Sequence, residues 1–188
     1  TLDGAERRGW ERDGFFVRRA AFSATEVAVL EEAAEAVVRE AERGAGASAE
    51  RYAIDGNEYV EAPMAGRGST IQLEHRPGSR TIRVVEPFHH LHPAFEALVD
   101  DPRIVAPMRE LVGSDRVALF TDKLNLKRPR EGSRFLWHQD SPYWIHFCAH
   151  LDRLPNVMLA LDDASRENGC LQLIPGSHRR GPGSAAGS

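Results

Sequence analysis

The sequence predicts a mainly β domain flanked by α-helices, and three observations carry that expectation. Apolar residues recur at helical spacing in the first third, the period shortens beyond Arg51, and clusters of Gly, Pro, Ser and Asn punctuate the later strand-like runs. Short strands joined by such turns build antiparallel sandwiches or barrels. With 188 residues, 41% of them hydrophobic, the chain can bury one sizeable core.

Residues 7–13 read as a short helix stopped by Gly14, and residues 15–17 as a brief strand. Ser23 and Glu26 have capping-box spacing. Behind them Val27, Leu30, Ala34, Val37, Val38 and Ala41 share one helical face, up to a stop at Gly44 and a loop through Ser48. Residues 70–74 and 81–85 read as strands around a turn at Arg76, Pro77, Gly78 and Ser79. A histidine-rich loop over 87–93 leads to two short helices, 95–99 and 104–111, the second ended by Gly113. Strands are expected over 116–128, 135–140, 156–162 and 170–174, separated by turns at 129–133, 165–169 and 175–177. The whole reads as a single domain over 1–180, with a helical part over 1–50 and a β part over 51–180. Residues 181–188 read as a flexible tail or linker.

A formal net charge of -4 offers no phosphate-binding surface, so no nucleic-acid partner is expected. The apolar runs are too short to span a bilayer, so no membrane partner is expected. No basic-then-apolar segment opens the chain. Cys148 and Cys170 form no CxxC pattern, and a cytoplasmic location is the simplest reading.

The sharpest chemical feature is Phe135-Leu-Trp-His138-Gln-Asp140. On a strand, positions i and i+2 share a face, so His138 and Asp140 project together. One imidazole and one carboxylate are two thirds of the facial triad that holds non-haem Fe(II). A bare His-x-Asp also arises by chance, and a solvated strand end is the plain alternative for the tripeptide alone.

The surrounding motifs resemble the phytanoyl-CoA dioxygenase family of iron and 2-oxoglutarate oxygenases. They are Leu124-Asn-Leu-Lys-Arg-Pro129, Trp137-His-Gln-Asp-Ser-Pro-Tyr-Trp144 and Asn168-Gly-Cys-Leu-Gln-Leu-Ile-Pro-Gly-Ser-His178, with Trp10-Glu-Arg-Asp-Gly-Phe-Phe-Val17 near the start. The resemblance implies a double-stranded β-helix, a cupin-like jelly roll with helices outside, incomplete here at its C-terminal end. It also implies Fe(II) held by His138, Asp140 and a later histidine, with 2-oxoglutarate and O2 consumed as an unactivated C–H bond of a small-molecule substrate is hydroxylated. Halogenating relatives have a small residue where Asp140 stands, so hydroxylation is the expected outcome. The family's distal histidine and the arginine that holds the far carboxylate of 2-oxoglutarate are not found in this sequence. The alternative is a non-catalytic jelly-roll binding domain with a vestigial metal site.

Within that frame Asn125 and Lys127 are candidate 2-oxoglutarate contacts, since an amide can donate to a carboxylate and an ammonium can pair with one. A rim-directed lysine and a turn-closing asparagine are the alternatives. Tyr143 and Trp144 follow the metal motif, where the family covers the mouth of its site, and are candidate substrate contacts. Gln139 is expected to point away. His89, His90 and His92 lack metal-site spacing, and His178 matches a family position that binds no metal. The alternating His146, Cys148 and His150 are a minor metal-site possibility, and Asp162 and Asp163 read as a solvated turn.

Overall fold

The computed structural model describes residues 1–44, 49–54 and 57–181, so most of the expected loop after Gly44 and of the tail after Gly181 lies outside the described residues. Helix α1 spans Gly4–Asp13. It starts earlier than apolar spacing suggests because Asp3 and Glu6 form a capping box. The Asp3 carboxylate accepts from the N–H groups of Ala5 and Glu6, and Glu6 accepts from the Asp3 N–H at 2.9 Å. Gly14, at φ 86°, ends it. Residues 15–17 are not a strand; among the described residues no strand pairs with them in a ladder.

Helix α2, Ala24–Gly44, is the expected long amphipathic helix. Ser23 and Glu26 cap it reciprocally, the Ser23 N–H donating to Glu26 at 2.8 Å and the Glu26 N–H to the Ser23 hydroxyl at 3.3 Å. Leu30, Ala33, Ala34, Val37, Val38 and Ala41 form its buried face.

That face packs on a five-stranded antiparallel meander whose spatial order is its chain order. The strands are β1 (Glu50–Ile54), β2 (Asn57–Met64), β3 (Ser69–Leu73), β4 (Ile82–Glu86) and β5 (Leu124–Asn125). The β1–β2 hairpin has no counterpart among the expected strands. Between β3 and β4 the turn forms as expected, with the Ser79 N–H donating to the Arg76 carbonyl at 2.9 Å and Gly78 at φ 75°. Helices α3 (Pro93–Val99) and α4 (Pro102–Val112) follow β4, each with proline in its first turn.

The sheet has two unlike faces. Met64, Ile71, Ile82, Val85 and Leu124 join α2, Leu91 and Phe95 in the core. Complete burial of a side chain such as Ile71 or Val85 contributes about 1.5–3 kcal/mol. Glu61, Thr70, Gln72, Val84, Glu86, Lys123 and Asn125 line a shallow groove with Phe135. A bulge sits between β3 and β4. Gln72 opposes Val84 and Leu73 opposes Ile82, so Arg83 is the extra residue. Ile82 and Val85 on either side both enter the core.

The later strands differ from expectation. The run expected over 116–128 pairs only at Leu124–Asn125, and 135–140, 156–162 and 170–174 form no ladder. Strand residues need a neighbour for their N–H and C=O groups, and none lies beside these segments among the described residues. Their apolar side chains, among them Trp137, Met158 and Leu171, are accordingly exposed. Mainly antiparallel sheet with flanking helices is therefore the observed class, as one sheet among the described residues. No helix among them is long and apolar enough to cross a membrane.

Candidate metal centre

His138 Nε2 and Asp140 Oδ1 lie 3.4 Å apart, both side chains well exposed. The juxtaposition comes from a loop, since residues 138–140 belong to no strand. Nδ1 of His138 sits 2.6 Å from the Leu136 carbonyl. A carbonyl only accepts, so Nδ1 carries a hydrogen and Nε2 is the ring nitrogen nearest the carboxylate, where an unprotonated Nε2 would be a second acceptor. Two acceptors at that separation repel unless a cation, a proton or a metal, lies between them. Metal–ligand distances of about 2.0–2.2 Å accommodate a pair so spaced.

Asp140 opens the short helix α5 (Ser141–Trp144), yet its carboxylate makes no cap bond. Instead Oδ2 accepts from Asn156 Nδ2 at 2.9 Å. Nothing in the sequence pointed to Asn156, because the contact spans 16 positions and depends on loop path. The donor chemistry fits a divalent metal in part. Among the described residues no group of three or more His, Cys, Asp or Glu gathers to hold one.

The segment leading into the motif is tied to the sheet. Ser133 donates its N–H to Glu74 Oε2 at 2.8 Å, its hydroxyl accepts from the His75 N–H at 3.3 Å, and its carbonyl accepts from Arg83 Nη1 at a long 3.5 Å. Arg83 and Glu74 are 2% and 1% exposed, with Nη1 3.7 Å from Glu74 Oε2. The Arg83 guanidinium carbon lies 3.7 Å from the centre of the Phe135 ring. Burial lowers the Arg83 pKa, and burial followed by repulsion from Arg83 lowers that of His75.

Asn125 is exposed on the groove side of the sheet, opposite Val84, while its neighbour Leu124 enters the core. Lys123 lines the same groove, as the shared parity of odd positions requires. Lys127 Nζ donates to the Gly169 carbonyl at 2.6 Å and lies 5.6 Å from the Phe135 ring centre. Trp144 packs edge-on against Phe120 at 5.1 Å, with Lys123 Nζ 5.6 Å from its ring centre. Tyr143 belongs to α5, but its side chain lies outside the described residues. Gln139 is half-buried between its two exposed neighbours.

The other histidines have local work. His89 Nδ1 lies 2.6 Å from Asp122, which also accepts from the N–H groups of Phe88 and His89. His90 contacts the Arg67 carbonyl at 2.8 Å, and His92 caps α3. Residues 146–150 form a turn rather than a strand, so strand alternation does not align His146, Cys148 and His150. His178 lies against Gly14, where an added Cβ would approach its Nδ1 to 2.3 Å.

The family model described as Phytanoyl-CoA dioxygenase (PhyH) matches residues 10–187. An ectoine dioxygenase of Bordetella bronchiseptica is 30% identical over 186 residues, covering 96% of this chain and 51% of that protein. An ectoine dioxygenase of Sphingopyxis alaskensis is 31% identical over 180 residues, covering 95% and 50% respectively. An L-proline trans-4-hydroxylase of Streptomyces griseoviridis is 33% identical over 118 residues, 59% of this chain and 44% of that protein. The chain thus spans about half the length of the curated relatives it matches.

Proposed function

Because this chain belongs to the phytanoyl-CoA dioxygenase family, we propose that it carries the His-x-Asp part of the iron site of a 2-oxoglutarate-dependent oxygenase that hydroxylates a small polar molecule. The observation that carries this reading is the 3.4 Å approach of His138 Nε2 to Asp140 Oδ1, with the opposite atom of each side chain already hydrogen-bonded. When bound, Fe(II) supplies oxygen activation coupled to decarboxylation of 2-oxoglutarate.

In this reading the protein's own residues orient and hold. The Leu136 carbonyl fixes the His138 tautomer so that Nε2 is the ligand atom, and Asn156 restrains Asp140 so that Oδ1 is presented. The groove side of the sheet is the inner face of a double-stranded β-helix, with α2 packed outside. There Asn125 offers amide hydrogens to 2-oxoglutarate. Lys127 anchors the turn at Gly169 and brings positive charge near the Phe135 ring that leads into the motif. Trp144, packed on Phe120 and near Lys123 of the groove, covers the substrate. The relatives named for ectoine and L-proline act on small polar molecules, and a groove bearing Glu61, Glu86, Lys123 and Asn125 suits that class.

The test is a Mn(II) titration followed by electron paramagnetic resonance. Weak binding that disappears in His138→Ala supports the reading, whether or not 2-oxoglutarate tightens it. Binding that His138→Ala leaves unchanged, or no binding at all, refutes it and leaves the alternative of a non-catalytic binding domain.

A further inference from the structure

We infer that the buried Glu74–Arg83 pair is a positioning device for the metal centre: it clamps Ser133 and Phe135 to the sheet and thereby sets where His138 and Asp140 stand. This rests on the metal reading above and adds a role for residues outside the motif.

Three observations converge. First, every polar group of Ser133 is engaged by the two residues just after β3 and by β4: its N–H by Glu74, its hydroxyl by the His75 N–H and its carbonyl by Arg83. Phe135, two residues on, lies over the Arg83 guanidinium at 3.7 Å. Second, the segment lies outside the sheet's ladder. Residues 133–138 form no ladder, and Phe135, Leu136 and Trp137 are each more than two fifths exposed. Third, the pair is poorly arranged for stability alone. Glu74 Oε1, His75 Nε2 and Arg83 Nε are all buried without a hydrogen-bond partner, and the charges meet only at 3.7 Å. A buried ion pair so incompletely satisfied is commonly neutral or unfavourable compared with apolar residues of similar size. The bulge that makes Arg83 the extra residue of β4 gives it this path while Ile82 and Val85 remain in the core.

The consequence runs along a short chain of atoms. His138 hydrogen-bonds the carbonyl of Leu136, the residue after Phe135. Displacing Phe135 therefore moves both the ligand and the group that fixes its tautomer. Arg83 and Glu74 are positioning residues in this scheme, and the metal ligands remain His138 and Asp140.

The experiment uses the whole chain and Mn(II) as probe, read by paramagnetic resonance, with melting temperature measured alongside. Two variants act by different routes. The double substitution Glu74→Leu with Arg83→Met removes the clamp and its unsatisfied charges together, so the fold should be kept. Phe135→Ala removes only the exposed ring. Each is expected to melt close to the parent, to bind Mn(II) about tenfold more weakly or worse, and to show a broadened manganese spectrum from a less defined ligand pair. An unchanged Kd in either folded variant overturns the proposal, and if the double variant does not fold, Phe135→Ala decides alone. His138→Ala separates the two readings. If it leaves Mn(II) binding intact, the metal reading falls and the positioning role with it. If it abolishes binding that a folded clamp variant retains, only the positioning role falls.

Discussion

His138 and Asp140 face each other across 3.4 Å, nitrogen to oxygen, while the other imidazole nitrogen is bound to the Leu136 carbonyl. Gln139 between them is half-buried, which sets its side chain apart from the exposed pair. Asp140→Ala is therefore expected to remove most binding of Co(II), whereas Gln139→Ala should change it little. The visible spectrum of bound cobalt reports both. Similar losses in the two variants would show that the motif acts through its fold rather than through a ligand pair.

Asn156 holds the second carboxylate oxygen of Asp140 at 2.9 Å. Such supporting partners typically contribute about 10- to 100-fold in metal affinity. Asn156→Leu is expected to fall in that range by calorimetric titration. Both partners are exposed, so the melting temperature should hardly move. Unchanged affinity would mean that Asp140 needs no second partner to present Oδ1.

Legibility in the sequence followed how local each interaction is. Helix α2 was readable because its cap and its apolar stripe both lie within its own residues. Likewise Pro77 and Gly78 announce their turn in adjacent positions. Strand β1 was not, since Arg51, Tyr52 and Ala53 are all exposed and carry no inside–outside alternation. Apolar runs such as 170–174 do alternate, but a ladder depends on a neighbour that alternation cannot supply. At the site, His138 and Asp140 could be singled out by their own spacing. Asn156 could not, nor could the burial of Arg83, which depends on a bulge with no composition of its own.

Acid should loosen the start of α2. Hydrogen bonds from the Ser23 backbone and hydroxyl, then from Arg103, lower the Glu26 pKa from 4.5 to about 2. A carboxylate depressed in the folded state contributes stability that is fully present above its unfolded value. That contribution is lost as the pH falls from about 4.5 towards 2. Glu26→Gln keeps an acceptor but no charge. Its melting temperature should lie below the parent's at pH 6 and converge with it over that acid window, and added salt should narrow the gap at pH 6. A gap independent of pH would show that the capping bonds matter and the charge does not.

Residues 1–188 by themselves are expected to hold Fe(II) weakly and to sustain no turnover of 2-oxoglutarate. Two protein ligands form only part of a facial triad, and Fe(II) lies low in the Irving–Williams order at nitrogen and oxygen sites. Among the described residues nothing supplies a third ligand beside His138 and Asp140. His178 is placed against Gly14 at the end of α1, while His146 and His150 flank a turn after α5. Lys127, the cation nearest Asn125 in sequence on the C-terminal side, already donates to Gly169 and has one point charge rather than a bidentate fork for a carboxylate. Anaerobic addition of Fe(II) and 2-oxoglutarate should therefore give little of the visible charge-transfer band of the chelate, and admission of oxygen should release no steady succinate. A full band with continuing succinate release would show the triad to be complete within this chain. His146→Ala, His150→Ala and His178→Ala, assayed one at a time, would then identify the third ligand by which of them abolishes the band.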